Sequence, residues 1–298
     1  MQQSLFVILS ALMVVASATA TPAHAGVDEL TRLKQQFHDY TGSTLVFGRQ
    51  ALPPGHLYYD RMYALSYARR VKAARIVVAE MKKYPRNYLG AMGLRRVGLF
   101  DALVAKRGDG FRPYNRKYRG YMFYGQWNGV NAVIAAYYSD TQLPLTLHHE
   151  WFHHVDATRR GRTNYRRFFA ADDRRFKAAV SGRRRYRAPV IAAGDLKRLK
   201  ALGSRRVLRG PVSHYASKTA GEDQAETARY LMTRLASALV QVVEQPRLPG
   251  SQRILHVLSE YQRALRRGPG FGWFVDVALG RAALASRRQA MRNKLKVR

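Results

Sequence analysis

The stretch His148-His149-Glu150-Trp151-Phe152-His153-His154-Val155-Asp156 decides how the rest of the chain is read. It contains H-E-x-x-H as His149, Glu150 and His153. On an α-helix, residues four apart lie roughly 40° apart around the axis, so both imidazoles project from one face. Two neutral ring nitrogens there can hold one Zn²⁺, and Glu150 is placed to take a proton from water on that ion. A catalytic zinc wants a third protein ligand and leaves a fourth position open. His148 and His154 point roughly 100° away from the nearer ligand, so they are expected as outer partners or at the surface. Leu147 and Trp151 share a face and are expected in the core.

Upstream, residues 121–124 and 130–138 read as two strands around Asn128-Gly129, a hairpin signal. Pro144 then suits the first turn of the histidine-bearing helix. Residues 95–105 read as a further strand, ended by Gly108-Asp109-Gly110. Helical spacing covers 27–40 and 59–83, with Pro53-Pro54-Gly55 between them. Downstream it covers 222–243, stops at Pro246 and Pro249-Gly250, and resumes over 252–266 and 281–294. This order predicts an α+β fold: a small, mostly antiparallel sheet, an active-site helix and a helical C-terminal part. The expected layout is a signal segment over 1–25, a helical region over 26–90, a core over 91–243 and basic helices over 244–298. An arginine-rich insertion, 157–210, interrupts the core.

Composition narrows the chemistry. Of 298 residues 47% are hydrophobic, which excludes a disordered chain, and there is no cysteine. Any metal must therefore be held by His, Asp or Glu. Residues 1–25 carry no Lys, Arg, Asp or Glu, and their apolar run over 5–16 precedes Ala23-His24-Ala25. That pattern predicts an exported protein cleaved after Ala25, the alternative being an uncleaved N-terminal membrane anchor. Lys+Arg total 52 against 19 Asp+Glu, a formal net charge of +33. Between 159 and 209 the only acids are Asp172, Asp173 and Asp195, so this segment is a solvated face or a contact for polyanions. For an exported protein those are anionic lipid head groups or envelope polymers. The chain shows no zinc finger, RNP pattern or phosphate loop, so nucleic acid is not an expected partner.

A second block follows: Ser213-His214-Tyr215-Ala216-Ser217-Lys218-Thr219-Ala220-Gly221-Glu222-Asp223-Gln224-Ala225-Glu226. Glu222 and Glu226 share a face at a helix start, where acidic residues are also favoured by the macrodipole. Asp223 points away from that stripe and is expected in solvent. H-E-x-x-H-x-V-D followed by S-x-Y-x₆-E-x₃-E resembles the gluzincin metallopeptidases, in particular the catalytic domain of anthrax lethal factor and its bacterial relatives. The resemblance spans about 93–243 and is specific in the two blocks.

It implies a zincin-like fold with His149, His153 and Glu222 as zinc ligands. Glu150 would be the general base and Tyr215 the hydroxyl that stabilises the oxyanion, with His214 a competitor for that role. Glu226 and Asp156 would accept hydrogen bonds from the ligand imidazoles. It also implies that 131–135, in the strand before the metal helix, is the edge along which an extended substrate lies. Where the family is usually apolar, this chain has Asp223 and Gln224. Two function classes result. One is an exported zinc metallopeptidase that hydrolyses peptide or protein substrates through zinc-activated water. The other is a basic, polyanion-binding envelope protein with a structural or inactive zinc site. Glu150 separates them, because a structural site needs no carboxylate beside its first ligand.

Overall fold

Helix α1 (Pro22–Thr41) stops at Gly42, whose φ of 71° suits glycine, and the Gly42 N–H closes on the His38 carbonyl at 2.7 Å. The computed structural model describes residues 22–51, 59–105, 122–127, 130–137, 139–163, 174–204 and 206–281. After α1 come β1 (Thr44–Phe47), β2 (Tyr59–Tyr63), α2 (Tyr67–Met81), α3 (Tyr88–Ala91), β3 (Leu94–Phe100) and β4 (Ala102–Ala105). Next are β5 (Met122–Trp127), β6 (Val130–Ala136) and α4 (Gln142–Ala157), which carries the histidines. The ribbon β7 (Thr158–Arg159) and β8 (Arg162–Thr163) precedes α5 (Arg174–Val180) and α6 (Ala193–Leu202). A 3-10 turn (Tyr215–Ser217) leads into α7 (Ala220–Thr233), then α8 (Leu235–Glu244), α9 (Pro249–Ala264) and α10 (Phe271–Ala278).

The fold is α+β and mostly helical. Its main sheet has the order β1-β3-β6-β5, with β1 parallel to β3, β3 parallel to β6, and β5 antiparallel to β6. This corrects the expectation of a mostly antiparallel sheet. Only the β5–β6 hairpin is local; β1, β3 and β6 pair across long connections that leave no short-range signature. Among the described residues, antiparallel pairing is confined elsewhere to the small ribbons β2–β4 and β7–β8. In β3, Val97 and Leu99 are fully buried, and Gly98 lets Ala51 close over the strand: a Cβ there would lie 2.5 Å from the Ala51 Cβ.

Three element boundaries differ from the periodic reading. Residues 59–83 divide into β2 and α2, because Tyr59–Tyr63 pairs with Ala102–Ala105. Residues 95–105 divide at Asp101 into β3 and β4. Residues 222–243 divide at Arg234, whose φ of −129° leaves the helical range. Residues 1–21, Pro53-Pro54-Gly55, Gly108-Asp109-Gly110, Asn128-Gly129 and the 282–294 part of the last expected helix lie outside the described residues. No helix among the described residues is long and apolar enough to cross a membrane.

Helix α4 is buried nearly all round. Leu143, Leu147, Trp151, Phe152 and Val155 are fully enclosed, as expected for Leu147 and Trp151. Trp151 meets Tyr84 edge-on with ring centroids 5.7 Å apart, and Phe152 meets Tyr261 at 5.5 Å. Tyr261 in turn packs on Phe274. The described parts of 26–90, 91–243 and 244–298 thus share one apolar core, running from Leu33 to Leu279.

His148 and His154 are inside this core, not at the surface, because a helix enclosed by α2, α7 and α9 has no solvated face. His148 Nδ1 accepts from the Tyr84 hydroxyl at 2.8 Å, and its Nε2–H donates to Glu80 at 2.5 Å. His154 bonds the Leu89 backbone. Burial lowers both imidazoles, His154 to about 4, so each stays neutral at pH 7.

Candidate metal centre

Helices α4 and α7 pack directly against each other. At the start of α7, Thr219 Oγ1 accepts the Glu222 N–H at 3.1 Å, an N-cap typically worth about 1 kcal/mol. The cap fixes the first turn and with it the Glu222 side chain. His149 Nε2 and His153 Nε2 face each other at 3.0 Å, and Glu222 Oε2 lies 3.1 Å from the first and 3.6 Å from the second. One ligand atom from each of the three lies within 4.8 Å of the others, so this group can hold a metal ion.

The donor set passes a test of fit. His149 Nδ1–H donates to Glu226 Oε1 at 2.9 Å. Burial opposes charge on this ring, yet Glu222 and Glu226 push the imidazole up to about 9, so the metal-free cluster holds a proton that a cation would displace. The two Nε2 atoms in contact repel unless such a proton or cation lies between them. Glu222 Oε2 is sealed from solvent without a well-formed hydrogen bond. Burial opposes its charge, yet the two imidazoles prevail and hold the carboxyl far below the usual range. Nitrogen and carboxylate oxygen suit a borderline cation such as Zn²⁺.

Glu226 orients the first imidazole and is itself held. Its Oε2 accepts from Ser213 Oγ at 2.6 Å and pairs with Arg229 at 2.5 Å. Ser213 Oγ also accepts the Ala216 N–H at 3.2 Å, so one hydroxyl ties the Tyr215 turn to the carboxylate behind His149. Neither Ser213 nor Arg229 is identified from sequence. The signal for Arg229 was its place three residues after Glu226, one helical turn on. Asp156 lies in the last turn of α4, where the Arg159 guanidinium reaches its carboxylate at 3.3 Å.

Glu150 is buried beside the histidines at 7% exposure. Burial pushes its carboxyl up, partly offset by His149 and His153. Among the described residues no hydrogen bond or ion pair engages it. The Tyr215 ring lies 5.9 Å from the His149 ring, and the Tyr215 hydroxyl bonds Glu222. Burial and the Glu222 charge push that phenol well up, so it remains a donor at ordinary pH. His214, its competitor, is exposed, as is Tyr215 at 43%; of the two, the Tyr215 hydroxyl is the one bonded to Glu222.

Two expectations fail here. Asp223 is buried at 6% exposure and bonds the Arg253 guanidinium at 3.1 Å, because α9 covers that side of α7. Gln224 likewise accepts from His256 Nε2 at 2.9 Å. Asp223 and Gln224 therefore both have polar partners on α9. The second failure concerns 131–135: β6 is flanked by β3 and β5, so both its edges are taken, and β5 is the outer strand. Comparison of this chain with protein-family models, with curated proteins and with solved structures finds no match.

Proposed function

We propose that the chain is a zinc-dependent peptide-bond hydrolase of zincin-like fold, working at His149, His153 and Glu222. The observation that carries this reading is Glu150: a buried carboxyl beside two paired candidate ligand imidazoles, with no hydrogen bond or ion pair among the described residues. A structural site has no use for such a group. Bound Zn²⁺ supplies Lewis acidity, lowering the pKa of water and polarising the scissile carbonyl. Glu150 takes the proton of the attacking water, and its raised affinity for protons suits later delivery to the leaving amine. The Tyr215 hydroxyl donates to the developing oxyanion. Glu226 keeps His149 in the tautomer that presents Nε2. The substrate rail moves from 131–135 to β5, whose outer side no described strand occupies and where an extended peptide can add as a strand.

The test is Glu150→Gln. It keeps volume and zinc stoichiometry but removes the base, so turnover falls by about 10²–10⁴-fold. Tyr215→Phe costs about 10²–10³-fold with metal content unchanged. If zinc-loaded wild type cleaves nothing in an unbiased peptide library, or Glu150→Gln cleaves at the wild-type rate, the site is structural and the chain a binding protein.

A further inference from the structure

We propose that residues 183–190 form a membrane-contact arm that binds anionic lipid head groups. Arg183, Arg184, Arg185 and Arg187 are all exposed, and no Asp or Glu occurs between Arg174 and Gly194. Among the described residues no carboxylate pairs with any of the four. Guanidinium groups left in this state match phosphate in charge and in donor geometry.

The arm is fastened at its middle. The Tyr186 N–H donates to Gln252 Oε1 at 2.7 Å, and its carbonyl accepts from Gln252 Nε2 at 3.2 Å. The Tyr186 hydroxyl donates to His256 Nδ1 at 2.8 Å. Gln252 and His256 are buried on α9, so the anchor is set into the core. The Arg184 N–H also bonds the Ala178 carbonyl at 2.8 Å, and its guanidinium lies 5.4 Å from the Tyr186 ring centre. The arginines are held out from a fixed point, which lowers the entropy lost on binding.

A soluble polyanion would ask only for charge. The apolar tip points to a bilayer instead. Val190 is 98% exposed, three residues beyond Arg187 and directly after Pro189, whose ring stiffens the approach. At an anionic membrane the guanidiniums meet the phosphates and Val190 passes below them into the acyl boundary. This inference is independent of the metal site.

The test uses the full chain in flotation with vesicles of phosphatidylglycerol and phosphatidylcholine, against pure phosphatidylcholine. Each basic residue near an anionic surface strengthens binding about fivefold, so changing all four arginines to Gln should weaken it by several hundredfold. Val190→Ser, which adds no charge, should cost about tenfold on the same vesicles and leave heparin binding unchanged. Wild-type binding should collapse in about 0.5 M salt. The control changes four exposed bases elsewhere, Arg32, Lys82, Arg86 and Arg95, to Gln and should lose far less. A control that loses as much as the arm variant overturns the proposal, as does Val190→Ser binding like wild type. If only heparin binding follows the arginines, the arm serves a soluble polyanion. Circular-dichroism melts should match wild type, since the altered side chains are exposed.

Discussion

Consider Arg253→Met. Arg253 and Asp223 are 5% and 6% exposed and 3.1 Å apart, joining α9 to the residue beside the candidate ligand Glu222. Close as it is, Arg253 does not return Asp223 to its ordinary range: burial wins, and the carboxyl stays raised. The carboxylate is therefore worse off than in water even with its partner. Removing the guanidinium alone leaves an uncompensated buried charge, which typically costs about 3–5 kcal/mol. Replacing both, as Asp223→Leu with Arg253→Met, removes the desolvation penalty together with the attraction and should be neutral or stabilising by about 1–4 kcal/mol. Urea unfolding of the four members of the cycle, metal-free and at pH 7, reads this directly. The single variant should lose midpoint at constant slope, and the double variant should regain it. A double variant as unstable as Arg253→Met would refute the reasoning, since it would show that the attraction outweighs the burial.

Two further outcomes follow from the site and the helix beneath it. Ser213→Ala and Glu226→Ala should each weaken zinc affinity by about 10–100-fold, read by competition with a chromophoric chelator, while Glu222→Ala should abolish stoichiometric binding. His154 titrates near 4 when folded and near 6.5 when unfolded, so below pH 6.5 the unfolded chain binds more protons. This one group should remove about 3 kcal/mol of stability as pH drops from 7 to 4, and His154→Asn should reduce the pH dependence of chelator-treated protein by about that amount.

What the sequence makes legible is local. The four-residue spacing of His149 and His153 fixes their common face whatever surrounds the helix, and Glu222 with Glu226 marks the acidic start of α7. Parallel pairing of β1, β3 and β6 was not legible, because each partner lies far along the chain. Nor was the burial of His148, His154 and Asp223. Polar residues on the far side of a helix read as solvated until the partners that cover them, Tyr84, Glu80 and Arg253, are known. The same limit hid Ser213, whose role depends on Glu226 thirteen residues later. Resemblance supplied Glu222, which periodicity alone could not separate from Glu226.

The shared core has a practical consequence for dissecting the molecule. Phe37, Val77 and Tyr84 precede the segment 91–243, Tyr261 and Phe274 follow it, and all five are at most 1% exposed in the same cluster. A fragment cut to 91–243 would keep every candidate metal ligand yet strip the cover from Trp151 and Phe152. It should emerge as an expanded, dye-binding state without fixed packing. The intact chain, by contrast, should unfold in one cooperative step reported equally by every probe. Limited proteolysis of the native protein should yield nicks in exposed loops, never an autonomous piece carrying the candidate metal ligands.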